Sequence, residues 1–367
     1  MRRFAAAATA AALCFLPAGS GAQQDPSAPP AAPTGASPTA RLLLLPDLAA
    51  VGSFALAWND WDVEALSPRA GPYAPTPEEP AFLFEEVELA IQAVVDPYAR
   101  ADVFVALTPE GAEVEEAFLT TLGLPAGLQV KAGKIRSPFG RQNPLHPHSW
   151  DFVDAPLAVG RLLAPDALSG TGLSVGWLAP LPWYAEVVVA GQSAAVEEDG
   201  EDALLGVARL VQYFSLGDAT TLGVGFSGGL RDEGTGLHRD LFGADVYLRI
   251  RPPAGRAYLA LTGEAIGRRF RGTGSGDAEW GGYAQAFWRA RPRWGLGARW
   301  DTAPTSDEGS AQPGRENRWA ALAGWFPSEY QRLRLQISYD RLPGGEEGVS
   351  ALLGLEFSIG AHGAHPF

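Results

Sequence analysis

Cysteine is nearly absent from this chain of 367 residues, Cys14 being the only one. Lysine is almost as scarce: Lys131 and Lys134 are the only two among 28 basic residues. Nowhere is there a run of about 18 apolar residues of the kind a membrane-crossing helix needs. Each shortage excludes something. Cys14 lies inside an N-terminal apolar run, so no disulfide is available to stabilise an exported chain, and burial or a bilayer must do that work. Without long apolar runs, any membrane crossing must be made by strands. A formal charge of −14 argues against nucleic acid as a partner, for which a basic face would be expected.

What is present begins with Arg2 and Arg3, an apolar stretch from Phe4 to Leu16, and small residues up to Ala22. That order is the pattern of a secretory signal peptide, expected over residues 1–22. Gln23 to Ala40 is Pro, Ala, Ser and Thr with almost no large apolar side chain. Residues 23–47 therefore read as a disordered Pro/Ala-rich periplasmic linker. Residues 48–367 read as one barrel.

From Leu48 onward strand-like stretches alternate with joints of two unequal kinds. Tight ones fall near Pro97, Leu122 to Pro125, Pro180 to Leu181, Ser215 to Gly217, Pro252 to Ala254, Arg291 to Pro292 and Pro327 to Ser328. Between them stand larger inserts such as Trp61 to Ala81, Ser137 to Ser169, Ser193 to Asp202 and Ala303 to Arg315. Short turns at one rim and long loops at the other are what a transmembrane β-barrel requires. The expected fold class is all-β: a transmembrane antiparallel up-and-down barrel of about sixteen strands in a bacterial outer membrane, with long external loops and short periplasmic turns. Its strands are expected near 48–60, 82–96, 98–108, 112–121, 126–136, 170–179, 182–192, 203–214, 218–229, 240–251, 255–268, 280–290, 293–302, 316–326, 331–341 and 349–361, to within roughly 2–4 residues.

The clearest strand carries Leu333, Leu335, Ile337 and Tyr339 in alternation with Arg332, Arg334, Gln336, Ser338 and Asp340. Period two puts one set on each face: the apolar set toward lipid, the polar set into the lumen. By the same count Glu86, Glu88, Asp245, Arg249, Arg251, Arg299, Asp301, Arg332 and Arg334 are expected to line the pore. Aromatics near strand ends, among them Trp177, Trp183, Trp288, Trp294, Trp300, Trp319 and Trp325, suit the two interfacial girdles.

The insert after the fifth strand is the longest. It holds Phe139, Trp150 and Phe152, which need burial, and both lysines stand just before it. A loop of this kind folds down into a wide barrel and narrows it with charged side chains. Lys131, Lys134, Arg136, Arg141, Trp150, Asp151 and Asp154 are the expected constriction residues, and their basic members favour anions. His146 and His148 form a His-x-His pair at metal-ligand spacing, with Asp151 and Asp154 the nearest further ligands along the chain. A second pair, His362 and His365, falls at the opposite rim. No cofactor is expected, because no glycine-rich loop here follows a strand and opens a helix. Nor is catalysis, because no base and orienting group are recognisable around His146, His148 and Ser149.

The segments GLQVKAGKIRSPFGRQNPLHPHSWDFVDAP, GWFPSEYQRLRLQISYD and GAHGAHPF resemble the porin-type outer-membrane proteins grouped with the phosphate-selective porins. Within that group they are most similar to the branch labelled zinc-regulated outer-membrane receptors. The resemblance implies a sixteen-stranded barrel that passes small hydrophilic solutes or anions, with outer-membrane lipid around it and a homotrimer as the common assembly. Two other readings stay open: a sealed structural or adhesive barrel acting through its outer loops, and a zinc-related receptor.

Overall fold

A computed structural model of the protein describes residues 46–60, 80–164, 167–195, 202–233, 236–252, 257–272, 278–305 and 314–360. All of these belong to one compact unit, Leu44–Phe367. The signal peptide, nearly all of the linker, the His362 and His365 pair and the tips of several long loops lie outside the described residues.

The first half of the barrel is β1 (Asp47–Asn59), β2 (Ala81–Asp96), β3 (Ala99–Thr108), β4 (Gly111–Thr121), β5 (Leu128–Arg136), β6 (Ser169–Leu178), β7 (Tyr184–Ala195) and β8 (Asp202–Ser215). The second half is β9 (Thr220–Asp232), β10 (Leu237–Ile250), β11 (Tyr258–Gly272), β12 (Glu279–Arg291), β13 (Trp294–Pro304), β14 (Arg315–Ser328), β15 (Gln331–Arg341) and β16 (Glu347–Gly360). Every strand pairs antiparallel with its sequence neighbours, and β1 pairs with β16 to close the sheet. Closure leaves no edge strand with unpaired backbone groups in the bilayer. A short α-helix, α1 (Leu157–Leu162), and a 3-10 turn at Pro147–Ser149 lie in the β5–β6 connection.

The alternation sorts the faces as the sequence indicates. Leu335 and Ile337 of β15 point outward and are exposed, while Arg334, Gln336, Ser338 and Asp340 point inward and are buried. Trp280, Trp300 and Trp319 stand exposed toward the long-loop rim, and Trp177, Trp288, Trp294 and Trp325 toward the short-turn rim. These two belts bracket the apolar band, which is how an outer-membrane barrel sits in its bilayer. A hollow of about 740 Å³ lies on this outer side, where Gly263, Ala284, Ala286 and Ala298 are small and Trp300 and Trp319 flank them. Replacing Leu335 by arginine should therefore cost about 2–4 kcal/mol, as a charge near the bilayer midplane does. The check is the urea midpoint of the barrel folded in phosphocholine vesicles, and an unchanged midpoint would place this face away from lipid.

The lumen departs from expectation in one respect: it is not lined by polar residues throughout. Leu205 and Val207 of β8, Leu241 of β10 and Ile266 of β11 point inward and are buried. In β8 the run from Leu204 to Val207 is apolar on one side and apolar or glycine on the other, as a strand buried on both faces would be. What covers these inward side chains is the β5–β6 loop.

Candidate functional site

The site is the barrel interior where residues 137–164 and 167–168 lie. Two glycines allow the chain to leave β5 and turn inward. Gly133 has φ +139°, and a Cβ there would stand 2.1 Å from the Ala117 carbonyl of β4. Gly140 has φ +62°, and its Cβ would meet a Glu264 carboxylate oxygen at 1.8 Å. Both conformations favour glycine, and at Gly133 the neighbour is backbone, which cannot give way to a side chain.

Apolar burial then holds the loop. Phe139 packs with α1 residues Ala158, Val159 and Leu162 against Leu205, Val207, Leu241, Ile266 and Tyr283. Phe152 and Val153 pack against Phe287, Ala320, Leu322 and Leu352 on the facing strands. Phe139 and Leu162 are wholly buried, and each such side chain contributes about 1.5–3 kcal/mol. The loop was expected to be inward and is held by two separate hydrophobic clusters.

Polar contacts fix it in register. Ser137 donates to Gln192 Oε1 at 2.7 Å, and the Gly140 amide donates to Ser227 Oγ at 2.9 Å. The Arg141 and Gln142 amides donate to the two oxygens of Glu264 at 3.1 and 3.2 Å. On the far wall, Arg334 donates to the Trp150 and Phe152 carbonyls at 2.8 and 2.7 Å. Arg332 donates to the Trp150 carbonyl at 3.0 Å, to the His148 carbonyl, and to Glu356 at 2.6 Å. Asp154 is buried, and its oxygens take Arg299 and Arg318 at 2.6 Å each and Gln336 at 2.7 Å. Arg299 also binds Asp301 at 2.7 Å and Arg318 binds Asp340 at 2.6 Å, so each guanidinium bridges Asp154 of the loop to a carboxylate of the wall. Burial works against the Asp154 anion, but Arg299 and Arg318, and then the Gln336 amide, hold its carboxyl at about 2, below the ordinary 3.8.

The expected site residues thus separate into three groups. Arg299, Asp301, Arg332, Arg334 and Asp154 tie the loop to the wall, and Asp245 pairs with Arg209 at 2.7 Å. Arg136 is buried at the root of the loop and binds Glu115 at 2.6 Å and the Leu145 carbonyl at 2.9 Å. The Trp150 indole donates to that same carbonyl at 3.1 Å.

A second group stands on aromatic faces. The Arg141 guanidinium lies 3.8 Å from the Tyr247 ring centre and donates to the Tyr213 hydroxyl at 3.1 Å. Arg249 lies 4.6 Å from Tyr258, and Lys131 Nζ lies 4.8 Å from Phe118. Arg289, which the sequence pattern does not single out, lies 3.9 Å from Phe326 and donates to the Pro292 carbonyl. It borders a hollow of about 250 Å³ at the short-turn mouth, lined also by Arg332, Glu356, Tyr330 and Ser358. Asp151 faces this group, taking the Gln285 amide at 3.3 Å. Burial pushes its carboxyl above the ordinary value, while Arg332, Arg334, Arg141 and Arg249 pull against that rise.

The third group is the histidine pair. His146 Nδ1 stands 3.0 Å from Glu115 and its Nε2 stands 2.8 Å from Glu116. His148 lies beside Glu86 and Glu88 of β2. Asp151 and Asp154, their neighbours in sequence, belong to the other two groups.

Two expected pore residues stand elsewhere. Lys134 pairs in register with Ala117 and Thr171, on the face where Leu119 and Leu173 are exposed outward. Its ammonium binds Glu113 at 3.1 Å and the Val114 carbonyl at 2.6 Å, away from the lumen. The physical reason is parity, since three residues from an inward Lys131 is the opposite face of a strand. Arg251 sits past the end of β10, exposed at the short-turn rim. Glu115, Glu116, Glu264 and Arg318 are functional positions not picked out from the sequence. For Glu116, Glu264 and Arg318 the signal was a charged residue at an inward place in the alternation, whereas Glu115 is the extra residue of a register shift opposite Phe104 and Val105, which alternation does not reveal.

No family model matches the chain. An uncharacterized protein of Aquifex aeolicus (strain VF5) is 30% identical over 334 residues, covering 79% of this chain and 71% of that protein. Solved structures with the same fold include an anion-selective porin from Comamonas acidovorans, with TM-score 0.60 at 9% identity, covering 86% of this chain and 99% of that one. The outer-membrane channel DcaP of Acinetobacter baumannii gives 0.55 at 11%, over 86% and 97% of the two chains. Pseudomonas putida OprB gives 0.57 at 12%, over 86% and 94%. At such identities the likeness is one of fold: the barrel is of the outer-membrane porin type.

Proposed function

This chain belongs to one family with the Aquifex aeolicus protein, and we propose that it is an outer-membrane channel for passive diffusion of small hydrophilic solutes, with a preference for anions set beside the inserted loop. The observation that carries this reading is how the basic side chains are held. Arg299, Arg318, Arg209 and Arg161 are each bound to a carboxylate, which cancels their field. Lys131, Arg141 and Arg289 are instead positioned by aromatic rings, a hydroxyl or a backbone carbonyl, which fix a cation without cancelling its charge. Three fixed positive charges that no carboxylate binds directly, with Asp151 facing their group, favour anions. The resemblance to the phosphate-selective porin group points the same way, and the Comamonas neighbour is itself described as anion-selective.

The reading includes removal of a signal peptide at residues 1–22 and assembly as a homotrimer, the state the resemblance implies. Planar-bilayer recording of the purified chain tests it. Stepwise conductance is expected, in groups of three equal steps, with a reversal potential on the anion side in a salt gradient. Absence of any current would favour the sealed structural barrel instead.

A further inference from the structure

We propose that Glu86, Glu88 and His148 form a binding site for a first-row divalent cation such as Zn²⁺, which clips the inserted loop to the barrel wall. Glu86 and Glu88 are two apart on β2, so both point inward from the same face. His148 reaches them from the loop. The three side chains are buried, and one ligand atom from each lies within 4.8 Å of the other two. Donors around a tetrahedral zinc ion stand about 3.4 Å apart, so rotations of under about an ångström and a half per side chain bring these to the ion.

Unused acceptors supply an independent observation. Oε1 of Glu86 and Oε1 of Glu88 are both buried and accept no hydrogen bond among the described residues. Glu88 Oε2 stands 2.8 Å from His146 Nδ1 and 3.3 Å from His148 Nδ1, off the line of a hydrogen bond. Buried carboxylate oxygens in that condition are costly unless a cation is supplied.

Charge balance agrees. Glu86, Glu88, Glu115 and Glu116 bring four carboxylates into the cluster, and Arg136 brings one guanidinium. Two neutral imidazoles would leave a deficit of three positive charges, and a divalent ion removes most of it. His146 is not assigned as a ligand, because its two nitrogens already face Glu115 and Glu116. One imidazole nitrogen and two carboxylate oxygens, with a fourth position for water, suit zinc or a similar borderline cation better than calcium or magnesium.

The test uses the full chain folded in detergent, stripped with EDTA and titrated with Co²⁺ and Zn²⁺. One equivalent of cobalt with visible d–d absorption is expected, displaced by zinc. Glu88→Gln and His148→Ala should each weaken binding by roughly tenfold or more, while the barrel keeps its heat-modifiable mobility on a gel. Should Glu88→Gln fail to fold, His148→Ala decides, because it changes the loop and leaves every strand intact. No bound cobalt in the unaltered chain, or unchanged binding in folded His148→Ala, would overturn the proposal. Both readouts are independent of ion current, so a sealed barrel would leave them unaffected.

Discussion

Replacing Asp154 by alanine is expected to release the inserted loop while leaving the barrel closed. The substitution removes the acceptor shared by Arg299, Arg318 and Gln336 at 2.6, 2.6 and 2.7 Å. Arg299 and Arg318 then keep one carboxylate each, Asp301 and Asp340, but their buried N–H groups and the Gln336 amide lose the acceptor that tied them to the loop. Breaking a buried pair by deleting one partner costs about 3–5 kcal/mol, and the carboxylates that remain set this case at the lower end. The strands keep their ladder hydrogen bonds, so the loss falls on docking of the loop. Trypsin reads it directly, since Arg141 and Arg161 lie within the loop and should become cleavable while the barrel stays folded. The same release should raise single-channel conductance. Acid should act as a milder form of the substitution. A carboxyl held at about 2 in the fold, against an ordinary 3.8, contributes stability present above pH 4 and lost as pH falls through about 2. The amount is about 2 kcal/mol at neutral pH. Resistance to trypsin in Asp154→Ala, with unchanged conductance, would show that the two apolar clusters hold the loop alone.

Much of this architecture is legible in the sequence, because a barrel wall obeys a local rule. In β15 the alternation of Leu333, Leu335 and Ile337 with Arg334, Gln336 and Ser338 decides both the strand and its facing, and neither depends on distant residues. The insert from Ser137 to Ser169 is identifiable by length and by Phe139, Trp150 and Phe152, which have no reason to occur in a solvated loop. Its partners are not legible. Which wall residues meet Asp154 or His148 depends on where the loop crosses a closed cylinder, and Arg299 is 145 positions from Asp154. Neighbours in sequence mislead for the same reason: His148 and Asp154 are six apart yet face different walls. The inward Leu205, Val207, Leu241 and Ile266 break the polar-lumen rule because they are packed against by the loop and not by water. The outward Lys134, by contrast, follows from the same parity that turns Lys131 inward.

Converting Lys131 and Arg141 together to glutamate should turn the channel from anion-preferring to cation-preferring. Each change replaces a positive charge with a negative one, so the local field moves by four units in all. At a working distance of about 6 Å, a unit charge in water acts on a passing ion with roughly 0.7 kcal/mol. Four such units outweigh the 1.4 kcal/mol that makes a tenfold ratio, so the permeability ratio should move by tenfold or more. Neither side chain is spent on a carboxylate: Lys131 lies over Phe118, and Arg141 lies over Tyr247 with the Tyr213 hydroxyl as its acceptor. The loop itself should stay docked, because the Arg141 contact that anchors it to Glu264 is made by the backbone amide. Arg209→Gln with Asp245→Asn is the informative comparison. That pair, at 2.7 Å, is bound to itself, and neutralising both members should leave selectivity nearly unchanged. Screening supplies a further requirement. The difference between the glutamate variant and the unaltered channel should be large at about 0.01 M salt, where the Debye length is about 30 Å, and should shrink toward 1 M, where it is about 3 Å. Reversal potentials measured across that range separate the alternatives. If the glutamate variant keeps the anion-side potential at low salt, or the Arg209 and Asp245 pair matters as much, selectivity is not set by the aromatic-held cations.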